Sequence, residues 1–154
     1  MPVEEWLFFL VIPFCSLFTH FAFFYAFPSI RLNRKPTIFL AVLMMLVSVL
    51  LISTNLSKLY TVVNYSTLLI ILILGGVYHF ELLQRFCVSF LLILIPFFIV
   101  NGILTGAITD TPVVWYDNTQ NLGIRFYTIP IEDIGYCFSM LFGNLMIFEF
   151  LQKK

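Results

Sequence analysis

The chain has 154 residues, 61% of them apolar and only 10% charged, with eight Lys and Arg against eight Asp and Glu and a mean hydropathy of +1.03. A soluble domain is about 25% charged, so the composition excludes a water-soluble globular enzyme and a disordered tail. Without a basic stripe it also excludes a nucleic-acid binder. What fits is an all-α integral membrane helical bundle, in which each spanning helix takes about 20 apolar residues.

Five apolar runs follow one another. The first, 6–30, contains Pro13 and ends at Pro28. Ahead of it Met1-Pro2-Val3-Glu4-Glu5 is acidic where a secretory signal would be basic. The others are 37–54, then 60–78 with Gly75 and Gly76 near its end, then 86–105 with Pro96 and Asn101 inside it, and 130–151. The connections 31–36, 55–59 and 79–85 are short and make consecutive spans antiparallel neighbours. The connection 106–129 is long and polar. Within it Val113-Val114-Trp115-Tyr116 and Gly123-Ile124-Arg125-Phe126 are β-prone, and Asp117-Asn118-Thr119-Gln120-Asn121 is turn chemistry. This predicts a short hairpin-like loop at the membrane surface, with Trp115, Tyr116 and Tyr127 in the interfacial aromatic belt. Arg31, Arg34, Lys35, Arg85, Lys153 and Lys154 fall on one side of the five spans, Lys58 and Arg125 on the other. By the positive-inside rule the C-terminus is cytoplasmic, and the N-terminus and the 106–129 loop are external, in a cell membrane. Cys15, Cys87 and Cys137 stand singly in apolar runs and read as packing residues, with no metal spacing.

One motif repeats. Pro2-Val3-Glu4-Glu5 opens the first span and Pro130-Ile131-Glu132-Asp133 opens the fifth. Proline at a helix start and acids in the first turn are ordinary helix signals. Two copies in a chain with so few acids ask for more. Three spans separate the copies, so both motif helices run the same way and both acid pairs lie at one membrane face. If the first and fifth spans pack together, four carboxyl groups converge on one cavity. Acids at membrane depth are costly and mark function. Burial favours the protonated carboxyl, by up to roughly 3–5 pKa units when complete, against roughly 0.3–1 kcal/mol from a helix terminus. At least one such acid would then be a general acid. The 19 Phe, 7 Tyr and 2 Trp supply aromatic faces that stabilise cations.

These residues resemble a known family. Pro96-Phe97-Phe98-Ile99-Val100-Asn101-Gly102-Ile103-Leu104-Thr105-Gly106, then Val113-Val114-Trp115-Tyr116, Leu122-Gly123-Ile124-Arg125, Thr128-Ile129-Pro130-Ile131-Glu132-Asp133 and Phe148-Glu149 are similar to the integral-membrane lycopene cyclase domain of carotenoid biosynthesis. Pro2-Val3-Glu4-Glu5-Trp6-Leu7-Phe8-Phe9 with Ile12-Pro13-Phe14 resembles its first-half motif. This is the type without flavin, found as two small subunits or one fused chain, each half carrying one Pro-x-Glu-(Glu/Asp) motif. The resemblance implies one membrane domain over 1–154, with 1–36 the end of the first cyclase half and 37–154 the second. In the fused form helices precede the first motif, whereas Met1 stands directly before it here. Either the sequence is a fragment or mis-started, or a second subunit supplies those helices, or activity is lost.

The resemblance further implies an isomerisation of lycopene with no net redox change and no cofactor or metal. A carboxylic acid protonates the terminal double bond, the cation closes to an ionone-type ring, and a carboxylate removes a proton. Glu4, Glu5, Glu132 and Asp133 are the catalytic candidates, with Arg125, Tyr136 and Asn101 supporting, and the partners are lycopene and the lipid bilayer. Adjacent acids on a helix point about 100° apart, so one of each pair faces the cavity. Glu132 shares its face with Tyr136, Ser139 and Gly143, in a chain where Gly135, Ser139 and Gly143 form a close-packing stripe. Glu132 is therefore expected to handle the proton, and Asp133, on the face of Cys137, Met140 and Asn144, to tune it or to pair with Arg125. The reading from a different class is a non-catalytic carotenoid-binding or assembly subunit, or an inactive truncated cyclase. His20 and His79 lie on different spans and at different depths, unlike a haem or quinone site.

Overall fold

The structure, a computed structural model, describes the backbone of residues 3–108 and 111–152 and the side chains of residues 10–108 and 111–152. The side chains of Glu4 and Glu5, and Lys153 and Lys154 altogether, lie outside the described residues. Helices α1 (Val3–Ala26), α2 (Arg34–Thr54), α3 (Leu59–Tyr78), α4 (Phe80–Leu104) and α5 (Glu132–Gln152) follow the five apolar runs. The last four are long and apolar enough to cross a membrane, and the described apolar stretch of α1 is Leu10–Ala26.

Local chemistry accounts for the helix ends. Residues before proline avoid the helical region, and α1 stops at Ala26, just ahead of Phe27 and Pro28. At the end of α4, Gly106 takes φ +93°, a region that suits glycine. There its N–H reaches the Ile103 carbonyl at 3.2 Å and the Ala107 N–H reaches Gly102 at 2.8 Å, the paired bonds of a Schellman motif. The 79–85 connection expected from the charges is almost absent, because α3 and α4 are separated by His79 alone. Glu81 and Arg85 stand in the first turns of α4 and do not end a helix. Leu82 and Leu83 between them are buried, which holds that first turn in the bundle.

Helix α3 packs on both α2 and α5, and α1 packs on α4 and α5. The core lies where α3, α4 and α5 meet. Phe86 stacks on Phe142 with ring centroids 5.0 Å apart, and Phe138 meets Phe86 edge-on at 5.0 Å. Gly75 of α3 lies so close to the Phe142 ring that no side-chain carbon would fit there. The outer faces carry large apolar residues such as Phe14, Leu46, Leu50 and Ile95, which water would penalise and lipid does not. At one end of the bundle Gln84 clamps the α1–α2 connection, its side chain donating to the Leu32 carbonyl at 2.7 Å while its own carbonyl accepts from the Leu32 N–H. At the other end Gln120 of the long connection takes the first N–H groups of α3, from Leu59 and Thr61. Alternate connections thus meet at opposite ends, as they must if consecutive helices alternate in direction.

The hairpin exists but lies one step later than its β-propensity suggests. Strand β1 (Arg125–Phe126) pairs antiparallel with β2 (Ile129–Pro130), with Arg125 opposite Pro130 and Phe126 opposite Ile129. Tyr127, at φ 58°, makes the turn. Val113 and Val114 form no strand because both their N–H groups are spent on the Leu104 carbonyl at the end of α4. The stretch from Asp117 is a turn as expected: the Asp117 carboxylate accepts from the Thr119 N–H at 2.8 Å and its hydroxyl at 2.7 Å. Those two donors hold the Asp117 carboxyl below its ordinary value.

Candidate active site

The first turn of α5 carries Glu132 and Asp133, where acids suit the positive end of a helix. Both are buried, Glu132 completely and Asp133 to 3% exposure. The 100° between them sends them to different neighbours rather than one inward and one outward. The α3 helix and the loop meet Glu132. Its Oε1 accepts from the Thr61 hydroxyl at 3.0 Å and from the Leu122 N–H at 2.6 Å. Its Oε2 is buried without a partner, as is Oδ1 of Asn64. These two acceptors belong to residues already joined, since Asn64 Nδ2 donates to the Glu132 carbonyl at 3.0 Å. Burying acceptors without donors costs about 1–3 kcal/mol each.

Asp133 has the opposite environment. Its Oδ1 accepts from the Tyr60 hydroxyl at 2.5 Å, and its Oδ2 from the Tyr116 hydroxyl at 2.6 Å and from Asn101 Nδ2 at 3.0 Å. Hydrogen bonds to a charged group are worth about 1.5–3 kcal/mol each. Three together match the several kcal/mol that burying one ion costs, so the arrangement suits a carboxylate. Tyr116 is a dependable donor, because burial, and then the Asp133 charge and hydrogen bond, push its phenol far above its ordinary value.

The remaining residues singled out in the sequence are divided. Asn101 joins the site directly. Arg125 donates to the Thr128 carbonyl at 2.9 Å and to Asn118 at 2.8 Å. Its guanidinium lies 5.8 Å from the centre of the Tyr116 ring, so it meets Asp133 only through Tyr116, with no ion pair between the two. Tyr136 is 38% exposed and lies within electrostatic reach of Asp133 and Tyr116, without a hydrogen bond to either acid among the described residues. Tyr116 is hydrogen-bonded to Asp133, while Trp115 and Tyr127 are exposed. Sequence reasoning passed over Tyr60, Thr61 and Asn64. The signal was available, since three polar side chains crowd one turn at the start of an otherwise apolar span.

Gly135 and Gly143 do pack closely, against Asn64 and Leu68 and against Ile71 of α3. That stripe, which Glu132 shares, is filled by α3. Two cavities flank it. One, of about 190 Å³, lies between α1, α4 and α5 and is bounded by Asn101 and Cys137, on the Asp133 face. The other, of about 270 Å³, lies among α2 to α5 and meets α5 at Ile131, Ile134, Gly135 and Phe138. His20 is buried away from both acids, its ring Nδ1 2.7 Å from the Ser89 hydroxyl.

Against known proteins, the family model described as lycopene cyclase matches residues 57–151. No curated protein and no solved structure matches the chain. The matched stretch runs from the α3 residues that hold the two carboxyl groups, through the loop that covers them, to the end of α5, and it makes this chain a member of the lycopene cyclase family of carotenoid biosynthesis.

Proposed function

We propose that the protein closes the ends of lycopene into ionone-type rings by carboxylic-acid protonation, cyclisation of the carbocation and deprotonation, an intramolecular isomerisation. A proton adds to the terminal double bond, a carbon–carbon bond closes the six-membered ring, and a neighbouring ring carbon gives up a proton. One proton enters and one leaves, so no oxidant is needed. The observation that carries this reading is the division of hydrogen bonds at the start of α5. Asp133 faces three donors, and Glu132 keeps one buried oxygen without a donor.

On this geometry we exchange the roles expected from the sequence. Asp133, on the side of α5 with open space, is the carboxylate that steadies the cation and takes the leaving proton. Glu132, in the packed seam, positions it by tying α3 to the loop. The acid that starts the reaction comes from the Pro2–Glu5 motif, since the chemistry asks for one protonated and one ionised group from different places. Lycopene arrives from the bilayer, the Glu132–Asp133 end of the bundle is external, and the Gln84 end is cytoplasmic, on the bias of Lys and Arg.

The test is expression in lycopene-accumulating cells with analysis of the pigments. The wild-type chain yields a cyclised carotene. Asp133→Asn lowers turnover by about 10²–10⁴-fold, the range for loss of a general acid or base. Glu132→Gln keeps much of it, because the glutamine carbonyl can still accept from Thr61 and Leu122. An inactive Glu132→Gln beside an active Asp133→Asn would return the proton-handling role to Glu132. No cyclised product from the wild type would favour a carotenoid-binding subunit.

A further inference from the structure

We propose that the cavity between α1, α4 and α5 is the chamber in which one end of the linear polyene folds and closes. The assignment rests on the cyclase reading above and says where in the bundle the reaction happens. Size permits it: a cavity of about 150 Å³ holds a benzene-sized ring, and this one measures about 190 Å³. Its walls are mainly apolar, with Ile12 from α1 and Ile93, Phe97 and Val100 from α4. Such walls exclude water that would quench a cation, and Phe97 offers an aromatic ring to stabilise one.

Position distinguishes this cavity from its larger neighbour. It lies between the two helices that open with the acidic motifs. Those helices run in the same sense, with Phe21 of α1 against Phe148 of α5 at 5.2 Å towards their C-terminal ends. At its edge stands Asn101, whose amide is 3.0 Å from Asp133. The Asp133 charge thus lies one residue behind the chamber wall, placed to steady a cation formed there. The cavity among α2 to α5 has Tyr65 and Ser48 as its polar wall residues, and neither is hydrogen-bonded to Asp133, whose donors are Tyr60, Asn101 and Tyr116. Its wall towards α5 is Ile131, just ahead of that helix, with Ile134, Gly135 and Phe138 of the helix, and Ser48 turns its hydroxyl back to the Met44 carbonyl at 2.8 Å.

Filling each cavity tests the choice. Val100→Phe narrows the proposed chamber, and Val47→Phe narrows the other cavity. In lycopene-accumulating cells Val100→Phe lowers the cyclised fraction by about tenfold or more, the scale on which a misfit in an apolar pocket discriminates, while Val47→Phe stays near wild type at equal membrane levels. A second readout needs no turnover. Cys15 borders the chamber and Cys87 does not. In Asp133→Asn membranes, lycopene protects Cys15 but not Cys87 from a lipid-soluble maleimide. Full activity of Val100→Phe, or equal labelling of Cys15 with and without lycopene, overturns the chamber while leaving the reaction standing. If Val100→Phe fails to accumulate, the Cys15 result decides. Absence of cyclised product from the wild type removes the functional reading and this assignment with it.

Discussion

Asp133 draws its three hydrogen bonds from three segments far apart in the chain: Tyr60 in α3, Asn101 in α4 and Tyr116 in the loop. Each donor therefore contributes to the fold as well as to the charge. Tyr116 is the most informative to change, since it lies outside the spanning helices and its phenol remains a donor over the whole working pH range. Tyr116→Phe keeps the ring beside Tyr60 and Arg125 and removes one bond to a charged acceptor. At about 1.5–3 kcal/mol the loss corresponds to about ten- to a hundredfold in turnover, with the protein still in the membrane. Pigment analysis against wild type measures it. Undiminished turnover would mean that Tyr60 and Asn101 suffice and that the loop only covers the site.

Among the helices, the α3–α5 seam determines where the acid pair sits. Gly75 touches the fully buried Phe142 ring, which is enclosed by Phe86 and Phe138 and has no room to move. Gly76 has open space around it. Gly75→Ala is therefore expected to overpack the seam at a cost of about 1–3 kcal/mol, lowering the melting temperature in detergent. Gly76→Ala in the next position is expected to be neutral or slightly stabilising, because alanine is the better helix former. Equal melting of the two variants would show that the seam can open. Small residues let the two helices approach along this seam.

For the whole molecule, the two ends are chemically distinct. One carries Arg34, Arg85 and the Gln84 clamp, and the other carries the acid pair and the loop. A reporter after Lys154 is expected to be cytoplasmic and one between Asp117 and Asn121 external. Both on one side would contradict the charge bias and the order of the spans together. The sequence by itself determined the class, the five helices and the place of the acidic pair, because apolar run length and helix-start chemistry are local properties that survive without tertiary context. It also held the turn at Asp117, where a side chain bonds its own backbone two residues on. It could not place Val113–Tyr116, whose β-propensity lost to two N–H groups captured by Leu104, nor find the start of α4 at Phe80, with only His79 between it and the end of α3 at Tyr78, since charges do not mark a helix boundary. Only the tertiary structure decided which carboxyl group has three donors and which has an oxygen left over. The donors come from α3, α4 and the loop. The open space bordered by Asn101, one hydrogen bond from Asp133, arises from how α1, α4 and α5 fail to close on one another, and no spacing along the chain encodes that.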